Sequence, residues 1–131
     1  MIRYLVLLVV VVAVYLQSVV SQEQEQYILV KLGENATIPL PVSGNYRRVV
    51  QNQNDFKDEE HLYRVCNGKN AKTCGFWENV KTKKKVPSGK TQYNKNKKTL
   101  IIRGMLASDF GKYMTGNKKK SVSVNKLIVK G

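Results

Sequence analysis

The sequence is poor in the residues that carry chemistry, since its 131 residues include one histidine, two cysteines and one tryptophan. Catalysis needs a nucleophile with a base and an orienting group, or a metal held by several ligands. His61 stands beside Glu59 and Glu60, and neither C-x-x-C spacing nor a histidine pair suggests zinc. We therefore expect no enzyme, no cofactor and no metal, with His61 exposed near the start of a strand.

Acidic residues are scarce as well, because nine Asp and Glu face 23 Lys and Arg and give a formal net charge of +14. The acidic run at Asp55, Asp58, Glu59 and Glu60 lacks EF-hand spacing, so we interpret it as solvated. A surface this basic favours anionic partners. In an exported protein these are glycosaminoglycans, sialylated glycans, anionic lipid headgroups or acidic proteins, more than nucleic acid.

A hydrophobic run long enough to span a bilayer comfortably is also missing. After a basic start, residues 4–16 form an apolar run, and the serine at position 21 suits a cleavage site. We predict a signal peptide over residues 1–21 and a single domain over residues 22–131, secreted to the outside of the cell. The alternative is a retained signal anchor, because Val19 and Val20 lengthen the run, and only then would the protein be held at a membrane.

Two sequence features depend on this export. Cys66 and Cys74 form an even pair at short range, which indicates a disulfide in an exported chain. Asn35 opens the one glycosylation sequon, Asn35-Ala36-Thr37, which is usable only in the secretory route.

Apolar residues alternate with polar ones in several short stretches, as strands require. Positions 36, 38, 40 and 42 are apolar at period two, and two strand-like runs flank Asn67-Gly68 and predict a hairpin. Residues 43–58 are interpreted as a long polar connection. Of the neighbours Phe76 and Trp77, one should face the core and the other solvent.

Residues 100–113 read L-I-I-R-G-M-L-A-S-D-F-G-K-Y, in which apolar alternation leads into a D-x-G-x-Y turn. This stretch resembles the E–F corner of immunoglobulin-type domains, where Asp109, Gly111 and Tyr113 would form a tyrosine corner. The run from Leu62 to Gly68, followed by Cys74, resembles the end of strand C in V-set domains of the polymeric immunoglobulin receptor type. In those domains the cysteine pairs across the C–C′ turn.

The resemblance to a V-set domain of the immunoglobulin superfamily covers residues 27–130 and implies an all-β, two-sheet antiparallel Greek-key sandwich. Leu40 and Thr115 stand where the cysteines of the B–F disulfide would be, and Val65 stands where the core tryptophan would be. The resemblance therefore implies sheets without a covalent link between them. It also implies a salt bridge between Lys90 and Asp109.

In such a fold the B–C, C′–C″, D–E and F–G loops would gather at one end and carry a basic binding patch, although a solubilising spread of charge is the alternative. The expected patch residues are Arg47, Arg48, Lys81, Lys83, Lys84, Lys85, Lys95, Lys97, Lys98, Lys118, Lys119 and Lys120.

The function implied by the resemblance is that of a secreted single-domain binding protein in cell recognition or extracellular signalling. Its partner would be an extracellular or cell-surface protein, with a homodimer through the C–C′–F–G sheet face as one form. The alternative is a cationic extracellular protein that binds anionic glycans or membranes in the matrix or in host defence. A third hypothesis is that the protein is an enzyme inhibitor that presents a loop to its target.

Overall fold

The computed structural model describes residues 26–128, so the predicted signal peptide, residues 1–21, lies outside the described residues. Within residues 26–128 the chain forms nine strands and one short 3-10 turn at Ala107–Asp109. The strands are β1 (Gln26–Val30), β2 (Ala36–Pro39), β3 (Asn45–Gln51), β4 (Asp58–Arg64), β5 (Trp77–Asn79), β6 (Lys90–Asn94), β7 (Thr99–Arg103), β8 (Gly111–Thr115) and β9 (Ser121–Lys126).

These strands pair into two sheets that pack face to face. The larger sheet has six strands in the order β1-β9-β8-β3-β4-β5, and the smaller has three in the order β2-β7-β6. Neighbouring strands are antiparallel except β1 and β9, which run parallel. The prediction of an all-β, two-sheet sandwich is confirmed, with one parallel pair at an edge.

The central strand β3 was not predicted, because residues 43–58 were interpreted as a polar connection. β3 pairs with β4 on one side and with β8 on the other. Its inward-facing residues are Tyr46, Arg48 and Val50, so the period-two pattern is present but one core position holds a cation. The run from Leu62 to Gly68, which resembles the end of strand C, therefore lies at the end of β4, one strand later than the resemblance implied.

The core lies between the inner faces of the two sheets. Its fully buried residues include Ile38, Leu100, Ile102 and Val122, which alternate with exposed or half-buried neighbours as period two requires. Leu40 is buried at the position expected for a cysteine, and this burial contributes about 1.5–3 kcal/mol.

The aromatic residue at the centre of this core is Trp77, which has 1% of its surface exposed. Val65, the position that the resemblance gave to the core tryptophan, is only half-buried at the end of β4. Trp77 comes from β5, and its neighbour Phe76 is half-buried. The large ring thus reaches the core from an edge strand of the six-stranded sheet.

Three of the connections share one turn design. In each, an asparagine side-chain oxygen accepts backbone N–H groups from the residues two and three positions later. The residue four positions later has a positive φ, a conformation that is uncommon outside glycine. The asparagines are Asn52, Asn79 and Asn94, and the positive φ values are 59° at Phe56, 63° at Lys83 and 51° at Lys98.

Candidate functional site

Four loops meet at one end of the sandwich, which we call the upper end: residues 40–44, 65–76, 95–98 and 116–120. Backbone bonds join them, from Leu40 N–H to the Lys98 carbonyl at 3.2 Å and from Val65 N–H to the Gly44 carbonyl at 3.1 Å. A third bond runs from Gly116 N–H to the Asn45 carbonyl at 3.0 Å. These bonds fix the four loops relative to one another.

The upper end is strongly cationic. Its four loops contain no aspartate or glutamate. Their lysines are Lys69, Lys72, Lys95, Lys97, Lys98, Lys118, Lys119 and Lys120, all exposed. Eight lysines in loops that carry no carboxylate of their own produce a positive potential that attracts anions.

Half of the predicted patch lies elsewhere. The turn at residues 80–84 lies at the opposite, lower end, because β5 runs antiparallel to β4 and Val80 N–H bonds to the Glu60 carbonyl near the start of β4. This turn carries Lys81, Lys83 and Lys84, with Lys85 directly after it. Arg47 and Arg48, expected in a loop, are in β3. The prediction of one patch for all twelve cations is therefore wrong, and six of them remain at the upper end.

The outer face of the six-stranded sheet carries an apolar centre. Val49 on β3 and Leu62 on β4 are half-buried there, and Met114 on β8 is 6% exposed. The register places Arg47 directly between Leu62 and Met114. Among residues 26–128, no element packs over this face.

Ion pairs lie within this centre and beside it. Glu60 lies between Arg47, at 3.6 Å, and the Lys118 Nζ, at 2.9 Å, while Arg64 pairs with Glu78. Lys118 is more than half exposed, so its contact contributes little to stability. The contact holds the lysine-rich loop 116–120 close to the outer face.

Arg48 is fully buried and donates to several core groups. Its Nη1 donates to the Asp109 Oδ1 at 2.7 Å and to the Tyr113 hydroxyl at 2.9 Å. The Tyr113 hydroxyl in turn donates to the Asp109 backbone carbonyl. Burial raises the pKa of Tyr113 well above its usual value. Asp109 and Tyr113 thus close the corner before β8 around an arginine from β3.

The partner of Asp109 differs from the prediction. The resemblance assigned Lys90, but Lys90 is exposed on β6 directly opposite Arg103. The Asp109 carboxylate faces Arg48 and also accepts from the Gly89 N–H and the Leu106 N–H, both at 2.9 Å. A buried carboxylate needs such partners, because burial without them is costly.

His61 extends this network toward the surface. Because Arg48 Nε can only donate, the His61 Nδ1 at 3.0 Å must accept, and the proton stays on Nε2, which donates to Glu59 at 3.0 Å. Burial lowers the pKa of His61, and the Arg48 charge adds to this effect. The hydrogen bond from Asn52 lowers the pKa of Glu59. The expectation of an exposed His61 is wrong, since β4 turns it inward.

Trp77 packs under this network. The Arg48 guanidinium carbon lies 4.3 Å from the centroid of the Trp77 ring, and the Tyr113 ring meets Trp77 edge-on at 5.6 Å. The indole N–H donates to Thr91 on the other sheet at 2.9 Å. The titratable groups that could serve a reaction are thus buried against one another, and they hold the sandwich together. Sequence reasoning missed Arg48 as a core residue, and the inward parity of Tyr46 and Val50 was the signal that could have found it.

The disulfide Cys66–Cys74 is present, with 5.0 Å between its Cα atoms. It closes the loop between β4 and β5 within one sheet and does not join the two sheets. Asn35 is exposed next to β2, where its side-chain oxygen accepts the Gly104 N–H at 3.1 Å. Glycosylation at Asn35 stays a prediction.

The part of the chain that the structure describes contains no group of three or more His, Cys, Asp or Glu able to hold a metal. Among residues 26–128 there is also no helix long and apolar enough to cross a membrane.

Comparison with known proteins gives a structural likeness and no sequence match. No family model and no curated protein sequence matches the chain. A solved structure of the extracellular domains of the voltage-gated sodium channel beta4 subunit, described as parallel homodimers that explain a role in cell–cell adhesion, is similar at 14% identity. The match covers 84% of this chain and 91% of that chain, with a TM-score of 0.45.

Proposed function

We propose that this protein is a V-set immunoglobulin-like domain that binds a partner protein in cell recognition outside the cell, through the outer face of the six-stranded sheet. Variable-type domains add two strands to the edge of one sheet, for a total of nine. β4 and β5 are such a pair beside β3, and the smaller sheet has three strands. This strand arrangement supports the V-set assignment.

The observation that carries the proposal is the apolar centre of the outer face. Val49, Leu62 and Met114 form it, and the ion pair of Arg47 with Glu60 lies among them, with Lys118 on the far side of Glu60. Protein interfaces combine apolar contact area with polar groups that pair, and arginine is enriched in them. The burial of His61, Asp109 and Tyr113 supports binding over catalysis, because these groups satisfy one another.

The outer face is tested by replacing Leu62 with Arg. The matched control is Ile101→Arg, because Ile101 is also half-buried and faces outward from the middle strand of the other sheet. In a screen against extracellular receptors, Leu62→Arg should weaken binding by about tenfold or more, as loss of an interface centre does. Ile101→Arg should leave it unchanged. Equal losses in both variants, with both folded by circular dichroism, contradict the proposal.

Secretion is the second part of the proposal. A disulfide between Cys66 and Cys74 fits an oxidising compartment outside the cytosol. We expect the secreted protein to begin at Gln22. Determining the N-terminus of the protein purified from the culture medium tests this. Recovery of the protein only in membranes, with residues 1–21 still attached, contradicts it and supports a retained anchor.

A second candidate function is the binding of anionic glycans at the upper end. Its specific support is the absence of acidic residues from the four upper loops, which together hold eight lysines. Charge-driven binding weakens steeply with salt, whereas binding through the apolar outer face does not. Salt dependence therefore separates the two candidates.

The chain offers a matched pair of variants for this test. Replacing Lys95, Lys97 and Lys98 with Gln removes three charges at the upper end, and replacing Lys81, Lys83 and Lys84 removes three at the lower end. Each set also contains one positive-φ lysine. The upper variant should elute from heparin at clearly lower salt than the lower variant. Equal elution shifts would show that only total charge matters.

A further inference from the structure

β1 leaves one edge of the six-stranded sheet open. It pairs with β9 on one side only, as the first strand in the sheet order. The Val30 carbonyl accepts the Leu127 N–H at 2.9 Å, so Val30, and with it Ile28, direct their backbone groups toward β9. Backbone groups alternate sides along a strand. Tyr27 and Leu29 therefore direct their N–H and C=O groups away from β9.

This edge lacks the usual protection. Natural edge strands are guarded by lysine, proline, bulges or shortness. The other sheet edges in residues 26–128 show such features, with Pro39 in β2, Lys90 at the start of β6, and a three-residue β5 bridged through Glu78 to Lys85. β1 reads Q-Y-I-L-V, without charge or proline, and its register with β9 is regular.

The outward-facing side chains of β1 are also apolar and exposed. Tyr27 is 67% exposed and Leu29 is 54% exposed, and both lie on the outer face beside Ser123 and Asn125. The edge thus offers unused backbone groups together with an aromatic and an aliphatic side chain.

We propose that β1 pairs antiparallel with β1 of a second copy of this chain, about a two-fold axis at Ile28. In this register Tyr27 of each copy lies opposite Leu29 of the other. Both residues direct their backbone groups outward, so each of the two pairs exchanges two N–H···O bonds. The Tyr27 and Leu29 side chains meet across the joint, as cross-strand aromatic and aliphatic pairs do favourably. The two six-stranded sheets become one continuous sheet.

The residues of β1 favour a second copy as the occupant. A net charge of +14 makes copies of the chain repel one another over most of their surface, but β1 is uncharged. Under the two-fold axis, the exposed Tyr27 and Leu29 of one copy meet Leu29 and Tyr27 of the other. The edge is therefore self-complementary in backbone and side chains.

This contact is separate from the proposed function. β1 and β4, which carries Leu62, are separated in the sheet by β9, β8 and β3. The edge contact can thus fail while partner binding at the outer-face centre holds, and the reverse is also true.

The dimer is tested by sedimentation velocity of the protein purified from full-length expression, over a range of concentrations. The wild-type mass should double as concentration rises. Leu29→Lys should stay monomeric, whereas Val42→Lys, which adds the same charge at a loop residue of matching 55% exposure, should still dimerise. Leu29→Pro should also be monomeric, because it removes an N–H that the monomer leaves unused. A monomer at every concentration, or a dimer that Leu29→Pro leaves intact, overturns the proposal.

The register is tested by single cysteines. Ile28→Cys should yield a covalent dimer on mild oxidation, because facing residues at a non-hydrogen-bonded pair lie about 4.5 Å apart, within disulfide reach. Tyr27→Cys should not, since the register sets it against Leu29 of the other copy. The native cysteines are already paired with each other. Crosslinking through position 27 in preference to position 28 overturns the two-fold axis at Ile28.

Discussion

Asp109→Asn should be severely destabilising, because four donors converge on the Asp109 carboxylate. They are the Arg48 guanidinium, the Ser88 hydroxyl and the N–H groups of Gly89 and Leu106. An amide offers one acceptor oxygen and turns an NH2 group toward the remaining donors. It also leaves the Arg48 charge buried without its counter-charge.

The expected loss follows from the complete burial of the pair, since both side chains are 0% exposed. Removing one member of a buried ion pair costs about 3–5 kcal/mol. In a domain of this size that corresponds to a fall in melting temperature of about 15–30 °C. It is also a large share of a total stability of about 5–15 kcal/mol.

The assay is a double-mutant cycle of urea unfolding with Asp109→Asn, Arg48→Met and the double variant. The double variant should lose less than the sum of the single losses, with a coupling of about 2–3 kcal/mol. The control cycle is Arg64→Met with Glu78→Gln on the outer face, where the side chains are 34% and 14% exposed. Its coupling should be below about 1 kcal/mol.

Two results would refute this reasoning. Additive losses at Arg48 and Asp109 would show that the 2.7 Å contact carries no coupling of its own. A coupling no larger than that of the surface pair would show that burial does not strengthen it.

Three further predictions concern other parts of the fold. The free energy of unfolding should fall as pH drops below about 6.5, by at most about 1.4 kcal/mol per pH unit. The reason is that the pKa of His61 is lowered in the folded state, so the unfolded chain binds the proton first. A free energy of unfolding in urea that does not change with pH at and below 6.5 contradicts this. Reduction of Cys66–Cys74 should cost roughly 2.6 kcal/mol without unfolding the domain, and loss of the circular dichroism signal in mild reductant at room temperature would be the contrary result. Gly111→Ala should lower the free energy of unfolding by about 1–3 kcal/mol or more in thermal unfolding, because the added Cβ would overlap the backbone carbonyl oxygen of Val49. The control is Gly44→Ala, which has open space around it, and equal losses of stability in both variants count against the steric explanation.

The resemblance to a V-set domain predicted the fold class, and local pattern predicted several strands. Apolar alternation placed Ile38 and Leu40 in the core, and the same rule placed Leu100 and Ile102 there. The disulfide followed from cysteine count and spacing. These features depend on neighbours in sequence, which is why they could be predicted.

Features that depend on distant residues could not be predicted in this way. Arg48 and Asp109 are 61 residues apart, and nothing local indicates that an arginine rather than Lys90 meets the aspartate. β3 was missed for the same reason, since a buried arginine makes sense only once Asp109 and Trp77 are placed beside it. Likewise, Lys81, Lys83 and Lys84 lie at the lower end because β5 runs antiparallel to β4, and that pairing is not visible in the local sequence.

The candidate outer face shows the same limit. Val49, Leu62 and Met114 come from three strands, and one of those strands was interpreted as a loop. Their proximity follows from the registers of β3 with β4 and β8. The cationic end was predicted in part because lysine-rich turns can be recognised locally, but the end to which each turn belongs depends on strand direction.

Polar contacts across the sandwich replace part of the stabilisation that a covalent link between its sheets would give. A disulfide joining positions 40 and 115 would contribute roughly 4.5 kcal/mol, mainly by restricting the unfolded chain. Here the Tyr63 hydroxyl on β4 donates to the Thr91 carbonyl on β6 at 3.0 Å, and the Trp77 indole donates to the Thr91 hydroxyl at 2.9 Å. Each such bond contributes about 1 kcal/mol. Unlike a disulfide, these bonds exist only in the folded state, so cohesion between the two sheets depends on side-chain packing and not on the redox state of the surroundings.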